Sequence, residues 1–220
     1  ESKYPEVFIV IDKGNGNYGS CVNVGLKRAT GKYIKVLDAD DCFNTRVFEA
    51  YLNGIKEYDT DMLISDYVEV YPELETIISC DIPGNQIVDF KELCKNHKIW
   101  NLWMHNVAYK RELLLGSDYQ QTEGISYTDQ EWIFSPFTAV KTAVYFKLPL
   151  YRYTLGREGQ TMSSAFSDKH FRDNIVCTCN MIELARHFNN VPNEIMSMLN
   201  YRLQKRCKFI YRTYMLTNGI

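Results

Sequence analysis

The chain has no Cys-x-x-Cys pair, no stretch approaching a membrane span and no overall excess of basic residues. Its seven cysteines, an odd number, fall at no metal-ligand spacing, which argues against a thiolate zinc site and for buried, reduced thiols in a cytosolic protein. Cys177 and Cys179 are too close for a typical bridge and belong on different sides of a helix. No run reaches the ~20 apolar residues of a bilayer-crossing helix, and no signal peptide is visible. A formal net charge of −2 leaves no electrostatic footprint for generic nucleic-acid binding. No glycine pattern matches a P-loop, and neither repeats nor low-complexity tracts occur. There is no initiator Met, and the chain opens mid-pattern at Glu1-Ser2-Lys3-Tyr4-Pro5, so it reads as a fragment. What is abundant is aromatic surface: 16 Tyr contribute to a 14% aromatic content, which suits either a carbohydrate surface or an ordinary half-buried sheet.

The most informative stretch is Tyr33-Ile34-Lys35-Val36-Leu37-Asp38-Ala39-Asp40-Asp41. An apolar run suited to a buried parallel strand ends in three carboxylates within four residues. Open α/β sheets bind ligands at the carboxyl ends of their strands. Like charges so close repel, and a divalent cation is the usual reason to keep them, because hard cations prefer oxygen ligands and can bridge to phosphates.

The remaining pattern alternates strand and helix. Residues 6–11 read as a strand, and Gly14-Asn15-Gly16-Asn17-Tyr18-Gly19 as a loop. Ser20 is placed to cap the following helix and Gly31 to close it. After the strand at 33–37, Asn44 caps a helix with Val47, Phe48, Tyr51, Leu52 and Ile55 on one face, and 62–70 is a third strand. This order predicts a mainly parallel sheet with right-handed crossovers. Later, 77–82 reads as an antiparallel strand, Asp89 caps a short helix, and 104–109, 143–146 and 150–153 are strand-like. Thr128 caps a helix beginning at Asp129, and beyond Ser167 the chain is helical in two pieces broken at Asn189-Asn190-Val191-Pro192. At 220 residues this is one sizeable domain with a helical appendage, divided at residues 1–166 and 167–220.

Three constellations can carry chemistry. Asp38 and Asp40 are delivered by a buried strand, whereas Asp41, taken alone, fits a capping acid near the next helix. In Tyr127-Thr128-Asp129-Gln130-Glu131-Trp132, the helix start would hold Asp129 ionised, able to accept a proton from a hydroxyl; plain N-terminal capping is the alternative. The loop at 14–19 before a helix is a weak anion-site signal.

In combination these residues resemble family 2 glycosyltransferases of the GT-A fold. The likeness is carried by Asn23-x-Gly25-Leu26-x-x-Ala29-Thr30-Gly31-x-Tyr33-Ile34 followed by Leu37-Asp38-Ala39-Asp40-Asp41, and by Glu123-Gly124-Ile125-Ser126-Tyr127-Thr128-Asp129-Gln130-Glu131-Trp132, over roughly residues 5–160. It implies an α/β, Rossmann-like, mainly parallel sheet flanked by helices, with a small antiparallel addition and C-terminal helices. It further implies transfer of a sugar, with inversion, from a nucleotide-diphosphate donor, usually a UDP-sugar, to an acceptor hydroxyl. The setting by analogy is bacterial surface polysaccharide synthesis with a saccharide or lipid-linked acceptor, in the cytoplasm or peripherally on the inner face of the membrane.

By that likeness Asp38 faces the nucleotide ribose, Asp40 binds Mg²⁺ or Mn²⁺ on the diphosphate, and Asp129 is the general base. Asn23 lies on the donor side, and Arg157, with Arg152, falls where a loop closes over the diphosphate. Asp66, His105 and Trp132 fall on the acceptor side; for Asp66 a surface acid, and for His105 a structural ring, are the alternatives. Trp100 and Trp103 suit either sugar stacking or the core. The basic terminal helix, with Arg202, Lys205, Arg206, Lys208 and Arg212, suits either an anionic membrane surface or a solvated helix face.

Two departures stand out. The family's first strand and the acidic turn of its second are expected before residue 1, and the Arg that commonly precedes Asn23 is Val22. Weak donor binding by this chain, or a non-catalytic scaffold role, is therefore weighed beside catalysis. A haloacid-dehalogenase-like phosphatase fits less well, because Asp40 is followed by Asp41-Cys42 rather than Gly or Thr/Val.

Overall fold

The structure, a computed structural model, describes residues 4, 6–96, 99–156 and 168–217. In chain order its elements are α1 (Asn17–Arg28), β1 (Tyr33–Ile34), β2 (Cys42–Phe43), α2 (Thr45–Glu57), β3 (Met62–Val70), β4 (Glu75–Ile78), β5 (Ile87–Asp89), α3 (Phe90–Lys95), β6 (Val107–Lys110), α4 (Arg111–Gly116), α5 (Asp129–Trp132), β7 (Thr142–Thr154), α6 (Asp168–Arg186) and α7 (Asn193–Thr217), with 3₁₀ turns at Met104–Asn106 and Ser135–Thr138.

One seven-stranded sheet runs β1-β6-β3-β7-β2, with β4 against the end of β3 and β5 against the start of β7. The longest ladder, β3 with β7, is parallel, and β1 shares their direction because β6 is antiparallel to both β1 and β3. The antiparallel addition comprises β2, β4, β5 and β6, and β6 is inserted between two strands of common direction.

The apolar run of β3 is buried on both faces, as a central strand requires. Alternation sends Met62, Ile64 and Tyr145 into a large cluster shared with α1, α3, α6 and α7, and Leu63, Val144 and Phe146 into a smaller one beneath Tyr51 of α2. The result is a sheet between two helical layers. Cys177 and Met181 of α6 and Ile195, Met198 and Leu199 of α7 join the larger cluster, so the helical tail shares the core of the sheet. Cys179 is exposed, and all seven cysteines are free.

Several local expectations are revised. Residues 6–11 form no strand: Val7, Phe8, Ile9 and Val10 are 72%, 56%, 62% and 66% exposed, because no described strand offers that segment a ladder. Helix α1 starts before Ser20, whose hydroxyl donates to Asn17 O at 2.8 Å inside the helix rather than capping it, and Ala29 rather than Gly31 ends it. The two strands expected at 143–146 and 150–153 are one strand, β7, in which a register shift opposite Ser65 and Asp66 absorbs Pro149. Residues 104–106 are a 3₁₀ turn before β6. Helix α5 lasts four residues, and a 3₁₀ turn containing Pro136 follows within a few residues. Among the described residues no helix is long and apolar enough to cross a membrane.

Candidate active site

The acidic turn is bolted to the carboxyl end of β7. The Tyr151 hydroxyl accepts from Asp38 N–H at 3.2 Å and donates to Asp41 Oδ2 at 2.7 Å, while Asp41 Oδ1 accepts from Thr154 N–H at 2.7 Å. Asp41 is thus not a helix-capping acid; Asn44 fills that role for α2 by accepting from Arg46 N–H. Burial, then the charges of Asp41, Asp129 and Asp40, push the Asp38 carboxyl up to about 7, partly offset by a hydrogen bond with Tyr18 of α1. Burial also raises Asp41. Asp40 is exposed at the tip of the turn.

His105 lies on the floor of this turn rather than apart from it. One carboxylate oxygen each of Asp38 and Asp41 and a ring nitrogen of His105 fall within 4.8 Å of one another. The ring is 8% exposed, stacks on Tyr153 at 4.2 Å between centroids and is flanked by Tyr151 at 4.7 Å and Tyr67 at 5.2 Å. Burial, helped by the Lys35 charge, lowers its pKa to about 3, so the imidazole is neutral. Asp38 Oδ1 and His105 Nδ1 are both buried without a hydrogen-bond partner. Two carboxylates, a neutral imidazole and two open acceptor atoms fit a divalent cation by donor chemistry. Lys35 donates to the carbonyls of His105 at 2.8 Å and Val107 at 3.4 Å, and burial lowers it to about 7. Nothing in sequence singled out Lys35, whose place follows from β1 lying beside β6.

The second acidic segment reaches the same place through a buried polar network. Asn23 of α1 donates to Gln121 O at 2.8 Å and Glu123 Oε1 at 2.9 Å and accepts from Gln121 N–H at 2.8 Å. Gln121 in turn donates from Nε2 to the Thr128 hydroxyl at 3.1 Å, so that hydroxyl is engaged here and does not cap α5 as expected. Glu131 accepts from Thr122 N–H at 2.7 Å and Thr122 Oγ1 at 2.6 Å. Tyr127 sits at φ +65°, uncommon for an aromatic residue, immediately before this turn. Gly19 exists for contact rather than for phosphate: a Cβ there would run into the Thr122 carbonyl oxygen, and Gly124 N–H donates to Gly16 O at 2.8 Å. The glycine loop therefore serves to seat this segment on α1.

Asp129 is half-buried, accepts from Gln130 Nε2 at 2.9 Å, and is close enough to Asp38 to raise that carboxyl. Desolvation raises its own pKa, while the Gln130 side chain and the backbone N–H groups of Asp129 and Gln130 at the start of α5 oppose the rise. Arg206, from α7, opposes that rise by its charge while donating from Nε to Thr178 Oγ1 at 2.9 Å. A helix given only general roles by sequence thus contributes a cation to the field of the site.

The other expected residues lie elsewhere. Asn23 spends its side chain on the 121–123 segment and acts as a clamp on it. Asp66 is 1% exposed and accepts from Tyr145 Oη at 2.6 Å and Cys80 N–H at 3.3 Å, so it is neither a surface acid nor open to an acceptor. Trp132 is 0% exposed, packed on Tyr109 and Tyr119, and cannot touch a sugar. Arg152 forms a two-pronged ion pair with Glu75. Arg157 lies outside the described residues. Trp100 donates to Cys94 O at 2.7 Å and packs on Tyr201, and Trp103 is 43% exposed. Of the tail's basic residues, Arg202 donates to Leu102 O at 2.8 Å and Lys205 to Asn101 Oδ1 at 3.1 Å, both of which dock the helix on the domain.

An α/β sheet with an acid turn seated beside the carboxyl end of β7, and a further carboxylate converging from a later loop, defines an α/β domain of the GT-A type. Residues 1–115 match glycosyl transferase family 2, and the chain belongs to that family. It is 24% identical over 135 residues to the uncharacterized glycosyltransferase EpsJ of Bacillus subtilis, covering 58% of this chain and 38% of EpsJ. Over 60 residues it is 40% identical to the minor teichoic acid biosynthesis protein GgaB of the same organism, covering 27% of this chain and 7% of GgaB. Among solved structures, S. aureus TarS 1–349 in complex with UDP-GlcNAc superposes with a TM-score of 0.68 at 19% identity, covering 94% of this chain and 59% of that one. The complex of the same protein with UDP gives 0.63 at 18%, covering 92% and 54%. The chain thus spans less than two thirds of each of these relatives, from 7% of GgaB to 59% of TarS 1–349.

Proposed function

We propose that the protein carrying this chain is an inverting glycosyltransferase that moves a sugar from a UDP-sugar to an acceptor hydroxyl in cell-surface polysaccharide synthesis, working on the cytoplasmic side of the membrane. The observation that carries the reading is the convergence of Asp38 and Asp41 with Asp129, separated by some ninety residues of chain, closely enough to perturb Asp38. Membership of glycosyl transferase family 2 and the likeness to TarS bound to UDP-GlcNAc support it.

In this reading the acid turn receives the donor and Asp129 receives the acceptor. Asp38 binds toward the ribose, and Asp40, exposed, toward the diphosphate. A divalent cation at the acid turn would neutralise charge growing on the departing diphosphate. Asp129 Oδ takes the proton of the acceptor hydroxyl as its oxygen attacks the anomeric carbon from the side opposite the leaving group, so one displacement inverts the centre. A carboxyl raised by burial is a stronger base once ionised, and Arg206 favours that ionised form. The clamp from Asn23 through Gln121 and Thr128 fixes Asp129 relative to the acid turn. The test is Asp129→Asn in the full-length protein: turnover should fall by about 10²–10⁴ while donor binding stays within a few-fold. Normal turnover in that variant would remove the base assignment.

A further inference from the structure

The segment that carries Asp129 rests on the helical tail. Along α6, His170 packs its ring on Tyr127 at 5.7 Å between centroids, and Asp173 Oδ2 accepts from Ser126 N–H at 2.9 Å. One turn on, the Cys177 thiol donates to Tyr127 O at 3.4 Å, and Asn180 Nδ2 donates to Thr122 Oγ1 at 3.2 Å. The spacing 170, 173, 177 and 180 is that of one helix face. The adjoining face holds Arg206 of α7, which donates from Nε to Thr178 Oγ1 at 2.9 Å and from Nη2 to Asn174 Oδ1 at 3.3 Å and Asn174 O at 3.4 Å. We propose that Arg206 is a positioning residue for Asp129: it locks α7 to α6, and so fixes both the seat of the 122–131 segment and a cation beside it. What Asp129 does rests on the glycosyltransferase reading; the hold of Arg206 on it does not.

The anchor is specific. Asn174 and Thr178 are only 4% and 3% exposed, so the guanidinium is gripped inside the helix pair rather than lying on its surface. Its partners are neutral oxygens, and among the described residues it forms no ion pair with a carboxylate, so its charge is left to act across α6. Cys177, next to Thr178, also lies with its sulfur 3.9 Å from Glu131 Oε1, so the anchor sits one residue from the contacts that bracket Asp129 between Tyr127 and Glu131. The other titratable groups that act with Asp129 are Asp38 of the acid turn, Tyr18 of α1, Tyr119, Tyr127, Tyr153 of β7 and Cys177, each neutral or anionic. The cation acting on it is Arg206. Without that charge, burial and these neighbours would leave the carboxyl protonated over a wider range.

The titration of Asp129 tests this without substrate. Aspartate carboxyl carbons of the carbon-13-labelled full-length protein are followed by NMR against pH, with the Asp129 signal assigned by its loss in Asp129→Asn. In Arg206→Gln the Asp129 curve should move upward by about one unit, and in Arg206→Lys, which keeps the cation but not the fork, by roughly half that or less. The acid limb of kcat/KM should follow in Arg206→Gln, an about tenfold loss on that limb, with donor affinity within about twofold. An Arg206 that merely supports the fold would lower the melting temperature of both variants and leave the Asp129 curve in place, and that result overturns the proposal. Should Arg206→Gln not fold, Thr178→Val decides: released from its anchor, the cation withdraws and the Asp129 curve rises, whereas an unmoved curve overturns the inference. If the curve moves as expected but Asp129→Asn keeps normal turnover, the base assignment falls and the hold of Arg206 on Asp129 stands.

Discussion

Replacing Asn23 by Ala separates a clamp from a donor contact. The side chain is 7% exposed and makes three hydrogen bonds, two of them to the backbone N–H and C=O of Gln121, a residue only 2% exposed. The variant strands both backbone groups where water does not readily reach. Each orphaned buried group costs ~1–3 kcal/mol, so the pair sums to roughly 2–6 kcal/mol. At about 2–4 °C per kcal/mol for a chain of this size, that is a fall in melting temperature of about 4–24 °C, readable by circular dichroism or calorimetry. Because Gln121 also holds Thr128, turnover in the full-length protein should fall further than the stability loss alone explains, with donor affinity less affected. An unchanged melting temperature together with a selective loss of donor affinity would refute the clamp and return Asn23 to the donor.

Other outcomes follow from the same contacts. Gly19→Ala drives a Cβ into the Thr122 carbonyl and should cost at least ~1–3 kcal/mol in chemical denaturation; a neutral result would mean that α1 and the 121–124 segment are not in contact. Tyr151→Phe keeps the buried ring but removes the hydroxyl shared by Asp38 N–H and Asp41, at a cost of about 1.5–3 kcal/mol, and an unmoved urea midpoint would sink that bridge. Burial pushes Asp38, to about 7, and Asp41, Asp129 and Glu131 above their ordinary range, so the folded chain retains protons that the unfolded chain releases. Their stabilising contribution is complete below the unfolded pKa of about 4 and lost as pH rises through the folded values. Between about pH 8 and pH 6 this gain is opposed by Lys35, lowered to about 7, and His105, lowered to about 3, which take up protons on unfolding. In metal-free buffer Asp38→Asn should therefore make the melting temperature fall more steeply on going from about pH 8 to about pH 6 than it does in the wild type, and an unchanged slope would contradict the Asp38 shift.

The central strand was legible because β3 is a long β-branched and aliphatic run that needs only burial to explain it, and the acid turn because like charges in a row demand a reason. Caps set by one local side chain, Asn44 and Asp89, were legible for the same reason. Features that depend on distant partners were not. Residues 6–11 have strand composition but no neighbour to pair with, and β6 enters between β1 and β3 through register that no local pattern encodes. At the candidate site, Asp38 and Asp129 stood out in sequence as the acids of two separate motifs. The inward turn of Asp41, the tyrosine box around His105 and the reach of Arg206 from α7 arise only when β7, β6 and the tail are brought together. Trp132 failed as an acceptor contact because residue type alone does not tell a core indole from a stacking platform.

The most direct measurement is a saturation-transfer NMR screen of UDP-sugars against the full-length protein, with and without Mn²⁺. Transfer to the nucleotide and sugar protons of at least one UDP-sugar, dependent on Mn²⁺ and lost in Asp38→Asn, is the expected result. A folded full-length protein that binds no nucleotide sugar, or binds one equally well without metal and without Asp38, would contradict it.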